Sequence, residues 1–195
     1  MFGFAKKIYA WASQKANSRF STLWLGAIFF LELIFFLPMD AILLLFCLEN
    51  PAKRYQYAAV ATAGSVACGL VGYFLGFAAW EALSPYILDH FISTGFFERL
   101  SNHYQESQHA AVFVGSLLPI PFKAITVTAG VCGLAFVPFL GAVMLARGLR
   151  FFLIAKAVQK WGLQIKTFVD KHFHRFLFAV GLKILLTFSF FWALA

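Results

Sequence analysis

The chain has 195 residues, of which 62% are hydrophobic and only 12% charged, with 26 phenylalanines and a formal charge of +8. A water-soluble domain carries about 45–50% apolar and about 25% charged residues. Here the apolar excess falls in blocks of bilayer-crossing length, which excludes a soluble globular fold. The basic residues flank those blocks instead of lining one polar face, the habit of membrane loops, not of nucleic-acid binders. One domain's worth of length without a Pro/Gly/Ser-rich linker predicts a single membrane domain.

Cys47, Cys68 and Cys132 lie far apart inside apolar stretches. They form no CxxC or Cys/His pattern and read as small buried hydrophobes, so neither a metal site nor a cofactor is expected. No cleavable signal peptide is expected, because the first apolar run, from Leu23, is too long for one.

Residues 1–22 mix Phe2, Phe4, Ile8, Tyr9 and Trp11 with Lys6, Lys7, Lys15 and Arg19. That mixture suits a short amphipathic helix on an anionic membrane surface, or else a frayed tail. The first apolar block, Leu23 to Leu48, contains Glu32 and is broken at its centre by Pro38-Met39-Asp40. Proline removes a backbone donor and clashes with the preceding turn. Each carboxylate at membrane depth costs roughly 2.5–3.5 kcal/mol. A broken helix or a re-entrant hairpin explains both anomalies, provided the irregular backbone is buried in protein or borders a wet cavity.

The second block, Tyr57 to Ala79, reads as a transmembrane helix. Gly64, Cys68, Gly72 and Gly76 recur every four residues, with Ser65 and Gly69 beside them, giving a face smooth enough for close backbone approach. The polar stretch 80–109 holds Glu81, Asp89, Glu98 and Glu106. Its His90, His103 and His109 have no common ligand spacing and read as surface histidines. The third block, Ala110 to Leu134, is interrupted by Pro119-Ile120-Pro121-Phe122-Lys123 and reads as a second broken, re-entrant element. A helix over about residues 135–155 follows, with Arg147 and Arg150 toward its end, where long side chains snorkel to the interface. Residues 156–175 are a basic segment, and residues 176–195 a last transmembrane helix carrying Lys183.

With both broken blocks re-entrant, basic residues divide eleven to one between the amino-terminal side and the other. With every block spanning, they divide ten to two. Either way the positive-inside rule places the amino terminus in the cytoplasm. Hairpins entering from opposite faces match the inverted-repeat logic of secondary transporters, whose sites lie near the midplane.

Leu37-Pro38-Met39-Asp40-Ala41-Ile42-Leu43-Leu44 resembles the LPGD-type or IPSE-type motif of the DedA family, with Glu32 upstream in the expected helix. Gly64 through Gly76, with Tyr73 before Leu75-Gly76, resembles that family's glycine-rich helix. Gly115-Ser116-Leu117-Leu118-Pro119 and Ala129-Gly130 are similar to its second re-entrant segment. This is the DedA, or VTT/SNARE-associated Golgi protein, superfamily, with the YqaA-like branch nearest. The resemblance covers about residues 24–155, inside a membrane domain bounded at 23–155. It implies an all-α polytopic membrane protein with transmembrane helices and two opposed re-entrant helical hairpins. Family members are linked to moving lipids across bilayers, polyprenyl-phosphate carriers in bacteria among them, and to the proton-motive force. The chain departs from the pattern where many members carry two arginines around the second proline: Ser116 and Phe122 stand there. Lys123 is adjacent, and Arg147 and Arg150 in the next helix are further sources of charge.

The expected function is a proton-coupled transporter or lipid flippase, not an enzyme, acting on an anionic lipid headgroup or small anion. Glu32 and Asp40 would exchange protons, since desolvation raises a carboxyl pKa toward neutrality. Lys123, Arg147 and Arg150 would hold the anion by charge-assisted hydrogen bonds. Pro38, Pro119 and Pro121 would make the breaks, and Gly64, Gly69, Gly72 and Gly76 the helix packing. The expected partners are membrane lipids, either polyprenyl phosphate or anionic phospholipid, and a second copy of the chain; no nucleic acid is expected. The expected location is the bacterial cytoplasmic (inner) membrane. The alternative is a non-transporting membrane scaffold or envelope assembly factor, in which the glycine face serves partners.

Overall fold

The structure, a computed structural model, describes residues 11, 13–33, 39–90, 95, 98, 102, 104, 107–118 and 121–194. Within these, the side chains of residues 33, 83, 85–90, 108, 109, 166 and 168–194 are outside the description. Among the described residues every regular element is helical and no strand occurs. In chain order they are α1 (Ser21–Phe30), a 3-10 turn (Leu31–Leu33), α2 (Met39–Glu49), a second 3-10 turn (Pro51–Lys53), α3 (Arg54–His90), α4 (Gln108–Leu117), α5 (Phe122–Val131) and α6 (Phe136–Leu194). Two helical stretches, Pro51–Ala82 and Phe136–Ile165, are long and apolar enough to cross a membrane.

α1, α4 and α5 have ten residues each and α2 has 11. At about 1.5 Å per residue each is some 15 Å long, half of a bilayer core. Among the described residues the first apolar block therefore holds two short helices, α1 and α2, and the third holds two more, α4 and α5. The break in the third has a local cause. Leu118 precedes Pro119 and takes an extended conformation, φ −68 and ψ 161, because the proline ring excludes the helical region for its predecessor. Pro121, with φ −58, then stands directly before α5 with its dihedral already near the helical value. Pro38 and Pro119 themselves lie outside the described residues.

α6 differs from the expected sequence of a helix, a basic segment and a last helix. Its backbone continues through residues 156–175 without a break, because lysine, glutamine and leucine are all good helix formers and no proline intervenes there. Residue 150 consequently falls at the middle of the apolar stretch Phe136–Ile165 instead of near its end.

The chain divides into two compact units. The first comprises residues 1–64 and 148–195. Its core is built from Leu25 and Phe29 of α1, Leu43 and Phe46 of α2, Tyr57 of α3 and Phe151 of α6, all fully buried. Rings meet edge to face, Phe29 on Phe151 at 5.1 Å and Phe46 on Tyr57 at 5.6 Å, the favoured arrangement for aromatic quadrupoles. The buried Tyr57 hydroxyl is satisfied by the Ser21 hydroxyl at 3.0 Å. Ala16, ahead of α1, is fully buried in the same core, so this part of the amino-terminal segment is docked; residues 1–10 lie outside the described residues.

The second unit comprises residues 65–147. α4 and α5 are in contact, and a Cβ at Gly115 would lie 3.1 Å from Ile125 Cδ1. α5 lies directly on α3, backbone to backbone. A Cβ at Gly76 would fall 2.2 Å from the Val127 carbonyl oxygen, and one at Gly130 would fall 2.0 Å from that of Tyr73. Only two facing glycines permit that approach. After α5 the chain reverses through Gly133 at φ +60, and Leu134 N–H donates to the Ala129 carbonyl at 3.0 Å, a left-handed helix cap suited to glycine. The Tyr73 hydroxyl donates to the Leu134 carbonyl at 2.6 Å, tying that reversal back to α3.

Candidate functional site

The sequence-predicted charges divide between the units. In the first, Asp40 occupies the first turn of α2, where the helix dipole favours an anion. Arg150 of α6 clamps it with both arms of its guanidinium: Nε donates to Oδ1 at 2.9 Å and Nη2 donates to Oδ2. This fork geometry is specific to arginine and matches a carboxylate or a phosphate equally well. The side chains retain 34% exposure at Asp40 and 19% at Arg150, so the pair is accessible from outside the protein, not sealed in the core. Glu32 stands in the 3-10 turn after α1, half-buried.

In the second unit, Arg147 is buried at 4% exposure and lays its guanidinium over the Phe122 ring, 3.7 Å from the centroid. Phe122 can lie there because α3 has no side chain at residue 69. A Cβ at Gly69 would come within 3.0 Å of Phe122 Cζ and 3.5 Å of Thr126 Cγ2. Lys123, the second residue of α5, is half-buried, and the Thr126 hydroxyl donates to its carbonyl at 3.2 Å. Ser116, at the end of α4, is 1% exposed, and its hydroxyl has no hydrogen-bond partner among the described residues.

The glycines of α3 meet helices of their own chain. Gly64 faces α1, where a Cβ would lie 3.0 Å from the Gly26 carbonyl oxygen; Gly69 faces Phe122, Gly76 faces α5, and Gly72 is buried. The side chains of His90, His103 and His109, and of Lys183, lie outside the description. Outside the two apolar spans, Tyr104 packs against the core of the second unit, and burial, with Cys132 beside it, pushes its phenol up to about 12. Sequence reasoning missed the role of Phe122 as a platform for a cation. Its only signal was position, beside Lys123 and just after the proline break.

The model of the VTT domain matches residues 41–160, from the first turn of α2 well into α6. The chain belongs to the DedA/VTT family. It is 31% identical over 148 residues to an uncharacterized protein of Haemophilus influenzae, covering 75% of this chain and 76% of that one. Over 148 residues it is also 34% identical to an uncharacterized protein of Histophilus somni, covering 75% and 77%. No solved structure matches. Membership of this family makes the chain a membrane protein, in keeping with its two long apolar helices. In this DedA/VTT protein the family match takes in Lys123, Arg147, Arg150 and all four packing glycines, and begins one residue after Asp40.

Proposed function

We propose that this DedA/VTT protein is a proton-coupled transporter or flippase of the cytoplasmic membrane, moving an anionic lipid headgroup or a small anion. The observation that carries the reading is the forked Asp40–Arg150 pair. It lies at the middle of an apolar helical stretch yet keeps exposed surface.

Electroneutrality explains how such a pair would couple two fluxes. Ionised Asp40 and Arg150 neutralise each other. A proton on Asp40 frees the guanidinium fork, and an incoming phosphate or carboxylate restores neutrality. A proton without the anion would leave a lone cation in a medium of low dielectric, at a cost of several kcal/mol. Proton and anion are thus favoured together or not at all. Glu32, in the 3-10 turn that follows α1, serves as a second proton site. Lys123, beside Phe122 in α5, and Arg147 of α6, over the Phe122 ring, supply a second cationic locus.

Depth supports the same reading. Arg150 is eleven residues before Trp161, about 16 Å along α6 at the usual helical rise. With the exposed Trp161 ring at the membrane surface, where tryptophans gather, that distance is half of a core about 30 Å thick. The half-length helices α1, α2, α4 and α5 fit re-entrant elements, each too short to cross the membrane alone. The charge bias supports a cytoplasmic amino terminus. The reading is of a transporter and not an enzyme, and glycines that meet helices of the same chain favour it over a scaffold whose glycine face awaits a partner.

Purified protein in liposomes tests it, with a fluorescent anionic lipid whose leaflet exchange is followed under an imposed pH gradient. Exchange is expected for the native chain and is expected to disappear in Asp40→Asn and Arg150→Gln. Exchange unaffected by Asp40→Asn would refute the coupling, and no exchange by the native chain would favour the scaffold.

A further inference from the structure

The first unit gathers cations and exposed aromatic rings at one end, away from the Asp40–Arg150 pair. Lys15 Nζ sits 4.0 Å over the Trp24 ring, which Trp11 meets edge to face at 6.4 Å. Asn17 donates to Glu49 at the end of α2, 3.4 Å. The Pro51–Lys53 turn then leads to Arg54, whose guanidinium lies 5.1 Å from the Tyr55 ring. The Tyr55 hydroxyl donates to Gln159 of α6 at 2.5 Å, and next along that helix Lys160 stands 4.9 Å from the Trp161 ring. Three cations are thus each held against an aromatic ring that is itself 40–47% exposed.

We propose that this end of the first unit is a docking surface for anionic phospholipid headgroups, with Lys15, Arg54 and Lys160 at the phosphates and Trp11, Trp24, Tyr55 and Trp161 at the carbonyl level below. Two observations select a lipid leaflet as the occupant. The rings open onto further exposed apolar side chains, Leu23 and Phe152 among them, which suits a surface half-immersed in acyl chains. The charge is predominantly positive: residues 1–31 contain four cations and no acid, and Lys53, Arg54 and Lys160 outnumber Glu49, the acid that Asn17 contacts. Stacking against an aromatic face leaves the Lys15 and Lys160 ammonium groups donors for phosphate oxygens, and Arg54, which spends one N–H on the Pro51 carbonyl at 2.6 Å, retains its other terminal N–H groups. The role is separate from the transport path and stands whether or not the chain transports.

Bromine quenching of tryptophan in the full-length chain tests the proposal. Trp80→Phe and Trp192→Phe leave Trp11, Trp24 and Trp161 as reporters. The protein is placed in phosphatidylcholine vesicles containing a minority of phosphatidylglycerol, with either lipid brominated near its headgroup. Each cation near an anionic surface contributes about a five-fold preference. Brominated phosphatidylglycerol is therefore expected to quench well beyond its share of the bilayer, and raised ionic strength to reduce the excess. Lys15→Gln with Lys160→Gln is expected to remove most of the excess, while Lys15→Arg with Lys160→Arg keeps it. Quenching in proportion to bulk composition, or an excess unchanged in the glutamine variant, overturns the proposal.

Discussion

Replacing Gly130 by alanine tests the backbone contact between α5 and α3. The added Cβ would sit 2.0 Å from the Tyr73 carbonyl oxygen and 2.8 Å from the Phe77 nitrogen. Both are backbone atoms of a helix, so no side chain can rotate away and the helices must separate. Ordinary contact begins at about 3.4 Å, so they part by about 1.4 Å. That movement also stretches the 2.6 Å bond from the Tyr73 hydroxyl to the Leu134 carbonyl beyond hydrogen-bonding range. Overpacking costs about 1–3 kcal/mol and the lost hydrogen bond about 1 kcal/mol, so the expected loss is about 2–4 kcal/mol. For a chain of this size that lowers Tm by roughly 8 °C. Gly76→Ala, with its Cβ 2.2 Å from the Val127 carbonyl oxygen, is expected to behave alike. Gly141→Ala is the control: nothing lies within 4 Å of its Cβ in a helical stretch of α6, so it stabilises by up to about 1 kcal/mol. Thermal unfolding in detergent, followed by tryptophan fluorescence, measures all three. Gly130→Ala melting with Gly141→Ala would refute the contact.

Separating the pair is expected to cost more than deleting it. Asp40→Leu alone strands Arg150 and loses about 1–3 kcal/mol, a range reduced from that of a fully buried pair because both groups keep exposure. Asp40→Leu with Arg150→Met is expected to recover most of the melting temperature and none of the liposome transport. Phe122→Ala removes the ring beneath the Arg147 guanidinium and leaves a cavity beside Gly69, an expected loss of about 3–5 kcal/mol by the same melting assay. Phe122→Trp, which retains a cation platform but adds bulk against Gly69, is expected to destabilise less. The Tyr104 phenol has its pKa raised to about 12 by burial, with Cys132 contributing. The fold disfavours its ionised form, so its contribution is complete below about pH 10 and is lost as pH rises from there toward about 12. Melting curves across that range are expected to fall less steeply for Tyr104→Phe than for the native chain.

Much of this molecule was legible in the order of its residues. The VTT family was readable from the Leu37–Leu44 motif and the glycine series, because a helix break and a close helix contact each demand particular residue types at particular positions. The all-helical character and the two halves of the third block followed from hydrophobic run length and from proline. What ran on unnoticed was α6, since a basic stretch of good helix formers looks like a loop by charge and like a helix by propensity.

Pairing was beyond reach. Asp40 and Arg150 are separated by 110 residues in sequence, and one sequence contains no term that selects Arg150 over Arg147 or Lys123 as the partner of a given carboxylate. Tertiary packing decides it, by bringing the first turn of α2 against the middle of α6 and by seating Arg147 on Phe122. Gly69 shows the same limit. Its smallness announces a close neighbour, but only the folded chain reveals that the neighbour is an aromatic ring beneath a cation. Local chemistry writes where a chain bends and which faces are smooth; which charges meet depends on long-range packing that no short window of residues contains.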